Sequence, residues 1–266
     1  MAESVKSKHE HIQSPLAVVS HWRWPWVLFT LLVFSSLIKL GLWQWQRADE
    51  KFDRLHRMQE LTQSQPLQLN QVNYELTEEL LNDVPIRLSG EFVNAHIFLL
   101  DNQTNKGKTG YRVFIPFNDA LSGQHILVNL GWIAGSIDRS IIPDIANIKG
   151  LQEFTGHVRV PQAPVFHVPQ TLNHTWPQRV QHIDPQLISD HLKINLAPVV
   201  IYLDPEVAIG YKKNWHPIVM PPEKHRGYAW QWFSLAVAFL SLMIWAAHTN
   251  KDKNKDKNKG SDHEPN

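Results

Sequence analysis

Two long apolar segments, one near each end of the chain, limit what this sequence can fold into. Residues 24 to 45 read WPWVLFTLLVFSSLIKLGLWQW, with Lys39 as the single charge; residues 228 to 247 read YAWQWFSLAVAFLSLMIWAA, with none. A helix needs roughly 20 apolar residues to cross about 30 Å of hydrocarbon, and both segments have that length without the polar face of a core helix. Aromatic side chains gather at their ends, where ring and polar edge suit the membrane interface: Trp22, Trp24 and Trp26, Trp43 and Trp45, Tyr228, Trp230 and Trp232, and Trp245. Lys39, one turn inside Trp43, reads as a stem that snorkels to the headgroups. The expectation is a membrane protein with transmembrane helices at 24–45 and 228–247.

The short flanks give an orientation. Lys6, Lys8 and Arg23 precede the first span, and Lys251, Lys253, Lys255, Lys257 and Lys259 follow the second. Positive flanks stay in the cytoplasm. Residues 1–23 are then a cytoplasmic tail, 46–227 an extracytoplasmic domain, and 248–266 a cytoplasmic tail too polar to fold and expected to be disordered. In a bacterium this places the chain in the inner membrane with the central domain in the periplasm. The first span is too long for a signal-peptide core and no small-x-small site follows it, so it reads as a retained anchor. A net charge of +1 gives no sign of a nucleic-acid partner. The chain has no cysteine, which excludes disulfides, thiolate metal sites and cysteine nucleophiles.

Between the spans, residues 47–62 carry mixed charge at helical spacing and continue the first helix until Pro66 breaks it. Short runs rich in Val, Ile and Phe then read as strands: 85–92, 96–101, 110–117, 125–133, 154–160 and 199–203. Asn102–Gly107 reads as a hairpin loop. Tyr111, Val113, Ile115 and Phe117 alternate onto one face. Ile183–Leu192 reads as a short helix with Asp184 as N-cap and Pro185 in its first turn. Residues 161–182, with Pro161, Pro164, Pro169 and Pro177, read as a long irregular excursion. The fold class expected is α+β: an antiparallel β-rich domain, a small barrel or curved sheet, flanked by two transmembrane helices.

Enzymatic signatures do not emerge. The sequence has no nucleophile elbow, phosphate loop, dinucleotide fingerprint or zinc-protease helix, so an enzyme is not expected. The histidines of the central region are scattered; His174 and His182, in the irregular stretch, read as solvated. His225 differs by position, three residues before Tyr228 at the membrane boundary. On a continuing helix His225, Tyr228 and Trp232 share a face, with Lys224 and Arg226 beside the histidine. An imidazole, cations and aromatics at such a rim suit an amphiphilic porphyrin with two propionates. From the residues alone the favoured reading is the plainer one, an interfacial polar residue that ends the span.

Four motifs carry a resemblance over residues 25–246. They are GLWQWQRADEK (41–51), LDNQTNKGKTGYRVFIPF (100–117), VNLGW (128–132) and HRGYAWQWFSLA (225–236). In this order, with these spacings and two spans, the chain resembles the surfeit locus protein 1 family, assembly factors for haem-copper cytochrome c oxidase. The sequence departs from the family pattern where Leu130 and Gln103 replace arginines, and where Lys224 and Arg226 flank the last histidine.

The resemblance implies a non-enzymatic assembly chaperone that assists insertion of haem a into oxidase subunit I, beside the haem a synthesis machinery. It implies His225 as the ligand of the haem iron, with Arg226, Arg47 and Lys224 toward the propionates and Tyr228 and Trp232, with Trp43 and Trp45, as the apolar wall. The alternative is a haem-independent membrane scaffold that docks oxidase subunits.

Overall fold

The computed structural model describes residues 24–162, 170–215 and 218–260. The basic flank before Trp24, the stretch holding Pro164, His167 and Pro169, and His216 lie outside the described residues. The chain divides into two compact units, Met1–Asp53 with Met220–Asn266, and Arg54–Val219.

Among its described residues the first unit consists of two helices. Helix α1 (Trp24–Thr62) runs from the apolar segment through the mixed-charge segment without a break, its residues from Arg54 onward belonging to the second unit. The last helix, α4 (Pro222–Gly260), opens with Pro222 in its first turn, where a missing N–H costs nothing, and with Glu223 beside the positive helix end. Both helices are long and apolar enough to cross a membrane, and only 6% of each apolar stretch is buried. That exposure separates them from the core helices of a water-soluble fold. Leu28, Leu32, Leu235 and Leu242 are each more than half exposed, and such a surface calls for a lipid surround. Beyond His248 the expectation of a disordered tail meets a different backbone, helical to Gly260. A helix nucleated by the apolar span extends at low cost through lysine-rich sequence, because only nucleation is expensive.

The second unit is a barrel. Two short helical pieces, a 3₁₀ turn at Leu69–Gln71 and α2 (Glu78–Leu81), lead into seven strands. These are β1 (Pro85–Phe92), β2 (Phe98–Asn105), β3 (Lys108–Asp119), β4 (His125–Ala134), β5 (Gln152–Arg159), β6 (Gln178–Val180) and β7 (Leu196–Leu203), with α3 (Pro185–Leu192) before the last. Strands β1, β5, β7, β4 and β3 pair in sequence, and β3 pairs back onto β1, closing a five-stranded ring; β2 and then β6 extend the sheet beyond β3. The sheet is mixed, which corrects the antiparallel expectation: β4 with β7 and β2 with β6 run parallel. Tight hairpins dictate antiparallel neighbours, but β7 is reached only after β5, β6 and α3, a connection long enough to return parallel to β4.

Alternation gives the barrel its interior. Tyr111, Val113, Ile115 and Phe117 all point into one core with Leu88, Leu99, Val128, Val158 and Ile201. The other face of β2, β3 and β4 offers Phe98, Phe114 and Leu127 to a second cluster with Val180 and Ile188, under α3. The N-cap of α3 is as expected: the Asp184 carboxylate accepts from the backbone N–H of Gln186 and Leu187 at 3.0 and 3.1 Å. The hairpin loop foreseen at Asn102–Gly107 is mostly strand. The turn itself is Lys106-Gly107, both at positive φ, as a two-residue hairpin requires. Strand β6 lies inside the stretch expected to be irregular, and three residues behind Pro177 carry no period to detect.

Candidate functional site

The first and fourth motifs, far apart in sequence, form the two sides of one helix seam. Gly41 and Ala48 of α1 and Ala229 and Ala236 of α4 are buried, and small residues let two helix backbones approach closely. A Cβ at Gly41 would meet the ring of Phe233, which would have to move to make room. The contacts pair early α4 with late α1, so the helices run antiparallel.

Each flank of the seam carries a different chemistry. On one, the half-buried His225 places Nδ1 2.8 Å from Oε1 of Gln44. Tyr228 and Trp232 follow His225 at spacings of three and seven, which keeps them on that side of α4. On the other flank Trp45 meets Trp230 edge to face, ring centroids 6.3 Å apart. There Arg226 lies 3.6 Å from Asp49, and its guanidinium sits over the rings of Trp45 and Phe52. Arg226 stands about 100° around the helix from His225, so the structure does not bring these two expected partners together. Arg47 borders the Gln44 side, three residues along α1, but its guanidinium is paired with Glu50 at 2.8 Å and lies over Trp43. Gln44 is the residue that sequence reasoning missed. Its place in the GLWQWQ motif was visible, but its partner lies 181 residues away.

The second and third motifs build the barrel. The Trp132 indole donates to the carbonyl of Gln103 at 2.7 Å, tying β4 to the β2–β3 hairpin. The register slips so that Leu130 is a bulge residue in β4, opposite no residue of β3. Its side chain is fully buried in the main core and its carbonyl accepts from the N–H of Tyr211 at 2.7 Å. Gly131 follows at φ +110° with the backbone of Tyr211 and Lys212 packed where a side chain would start, so only glycine fits. Leu130, standing where the family pattern has arginine, is therefore a core residue here.

Buried charge in the barrel is clustered. Asp83, 2% exposed, holds Arg54 at 2.8 Å and Arg159 at 3.0 Å. Arg57 donates to the carbonyls of Glu79, Leu80 and Asn82 and so closes the C-terminus of α2. Asp101 takes both its oxygens to Arg139. His157 Nδ1 lies 2.7 Å from Asp204, whose second oxygen accepts from the Thr155 hydroxyl. The hydrogen bond to Asp204 raises the His157 pKa against the opposing effect of burial. Burial alone would raise the Asp204 carboxyl, but the bonds from His157 and Thr155 hold it below the ordinary range. His174 stacks on His191 with ring centroids 4.8 Å apart. Among the described residues no group of three or more His, Asp or Glu is placed to hold a metal ion.

Comparison with known proteins agrees with this layout. The family model of the SURF1 family matches residues 31–237, from the first apolar helix into the last. The chain belongs to the SURF1 family. A SURF1-like protein of Rickettsia felis is 26% identical over 230 residues, an alignment that covers 82% of this chain and 94% of that protein. The SURF1 match thus takes in both sides of the helix seam as well as the barrel. Membership of the SURF1 family is consistent with a role in cytochrome c oxidase assembly, as an assembly factor rather than a catalyst.

Proposed function

We propose that this protein is a membrane-held assembly factor that assists delivery of haem a to subunit I of a haem-copper cytochrome c oxidase, with His225 as a transient axial ligand. In this reading both termini are cytoplasmic and the barrel faces the periplasm of a bacterial inner membrane, beside the nascent subunit and the haem a synthesis machinery. The observation that carries the reading is the meeting of the first and fourth motifs around His225. A half-buried imidazole there shares one flank with Tyr228 and Trp232 at the rim of an apolar helix pair. The donor set fits an amphiphilic iron porphyrin: a nitrogen ligand, aromatic surface, and cationic side chains for carboxylates. The haem, when bound, would supply an iron that accepts a nitrogen ligand. His225 would ligate, Tyr228 and Trp232 would shield the ring edge from water, and Arg47 would meet a propionate by exchanging its exposed partner Glu50. Such an exposed pair contributes little and is easily given up.

Purified full-length protein titrated with haem a tests this. Wild type is expected to give a saturable Soret band that His225→Ala loses; equal haem content and an identical band in both would remove the ligand assignment.

One observation favours the haem-independent scaffold instead. Arg226 pairs with Asp49 on the flank away from His225, so a clamp of two arginines on the propionates is not preformed. Complementation of a deletion strain separates the readings. Full oxidase activity with His225→Ala supports the scaffold, and its loss supports haem delivery.

A further inference from the structure

We infer that Gln44 is the positioning residue for His225: its side-chain carbonyl holds the Nδ1 proton and leaves Nε2 as the ligating nitrogen. This rests on the reading of His225 as a haem ligand. Oε1 of Gln44 faces Nδ1 at 2.8 Å, and since an amide oxygen can only accept, this orientation puts the hydrogen on Nδ1. A neutral imidazole has one N–H, and the other nitrogen then offers its lone pair. Free imidazole side chains favour the opposite tautomer, with the proton on Nε2, which cannot bind a metal through that atom. The contact therefore selects the ligating form before any ligand arrives, and it fixes the ring plane.

The seam explains why a glutamine of α1 can do this. Gly41 against Phe233 lies one turn to one side of Gln44, and the buried Ala48 lies one turn to the other. Close approach at both points holds the two backbones near enough for a side chain to reach across. A neutral amide also suits the membrane margin, where a carboxylate in the same role would have to be desolvated with its charge. In metal sites generally, loss of such an outer partner weakens affinity by about 10- to 100-fold.

Two measurements on full-length protein in detergent test the inference. Nitrogen-15 spectra of histidine-labelled protein without haem read the tautomer directly. His225 is expected with its proton on Nδ1 in wild type and displaced toward Nε2 in Gln44→Leu. A wild-type signal with the proton on Nε2 would overturn the assignment, because the amide would then present its NH₂ to the ring. Titration with haem a gives the second arm. Gln44→Leu is expected to bind about 10- to 100-fold more weakly. Gln44→Glu, which accepts more strongly, should keep binding while lowering the haem midpoint potential and raising the iron–histidine stretching frequency. If Gln44→Leu matches wild type in affinity, potential and stretching frequency while His225→Ala loses haem, the positioning role falls and the haem reading stands. If His225→Ala keeps its haem, both fall.

Discussion

The helix seam and the barrel handle polar groups in opposite ways. Along the seam the buried positions are Gly41, Ala48, Ala229 and Ala236, and the polar contacts lie on its flanks. The barrel buries Asp83, Asp101 and Asp119 almost completely, each with several donors; Asp119 accepts from the Ser89 and Ser122 N–H groups and the Ser122 hydroxyl. Helices satisfy their own backbones, so a pair of them can be joined by shape alone. A small barrel has loops and a short helix that end at its rim, and their free groups need charged side chains to bind them together. An unforced polar contact therefore means more on the seam than in the barrel. The buried positions of the seam are all small and apolar, which makes the Gln44–His225 pair on its flank a candidate for function.

Removing a buried barrel carboxylate should have the strongest consequence for the fold. Asp83→Ala leaves the guanidiniums of Arg54 and Arg159, both mostly buried, without their shared partner. The expected loss is about 3–5 kcal/mol, the usual consequence of stripping one member from a buried ion cluster. Denaturant unfolding of the full chain in detergent, followed by near-ultraviolet circular dichroism, measures it. A loss below about 1 kcal/mol, typical of exposed pairs such as Arg47–Glu50, would mean that Asp83 does not organise this rim.

The seam should respond to shape. Gly41→Val drives a side chain into Phe233, and overpacking of this kind costs about 1–3 kcal/mol. The chain has no cysteine, so Asp49→Cys with Arg226→Cys gives a clean reporter across the helices. A short bis-maleimide is expected to join the pair in an otherwise wild-type chain and to fail when Gly41→Val is added. Equal crosslinking in both would show that close approach at Gly41 does not set the helix pairing.

Much of this architecture was legible in the residues, for identifiable reasons. Long apolar runs and strict alternation are local signals, so the two helices, the bounds of β1 and the inward face of β3 followed directly. The Asp184-Pro185 cap announced α3 for the same reason. What escaped depends on partners distant in sequence. Nothing local tells β7 to lie parallel to β4, or β1 to close onto β3. The bulge that turns Leu130 into the core is a mismatch between two strands. At the site, helical spacing sets His225, Tyr228 and Trp232 on one side of α4. That spacing also sets Arg226 a quarter-turn away; proximity in sequence concealed it. Gln44 could not be chosen from the polar residues near the end of the first span until the opposite helix was in place.

A weaker contribution comes from whether the barrel's polar clusters are charged or merely bonded. His157 and Asp204 face each other, with Thr155 on the far oxygen and Asp83 and Glu206 adding negative potential around the imidazole. The folded state raises the His157 pKa above its ordinary 6.5. Stability from this source is therefore complete below pH 6.5 and lost as pH rises through the folded value. The Asp204 pKa is lowered from 3.8, so its share is present above that and lost as pH falls through the folded value. Together they contribute most between about pH 4 and 6.5. Against His157→Gln, which can hydrogen-bond but not charge, wild type should be more stable by about 1 kcal/mol near pH 5.5. The gap should close toward pH 9, where the imidazole is neutral. Unfolding midpoints of both proteins across this range give the result. A gap that stays constant would mean that His157 acts through packing and neutral bonding alone, and the barrel rim would then resemble the seam more closely than its buried charges suggest.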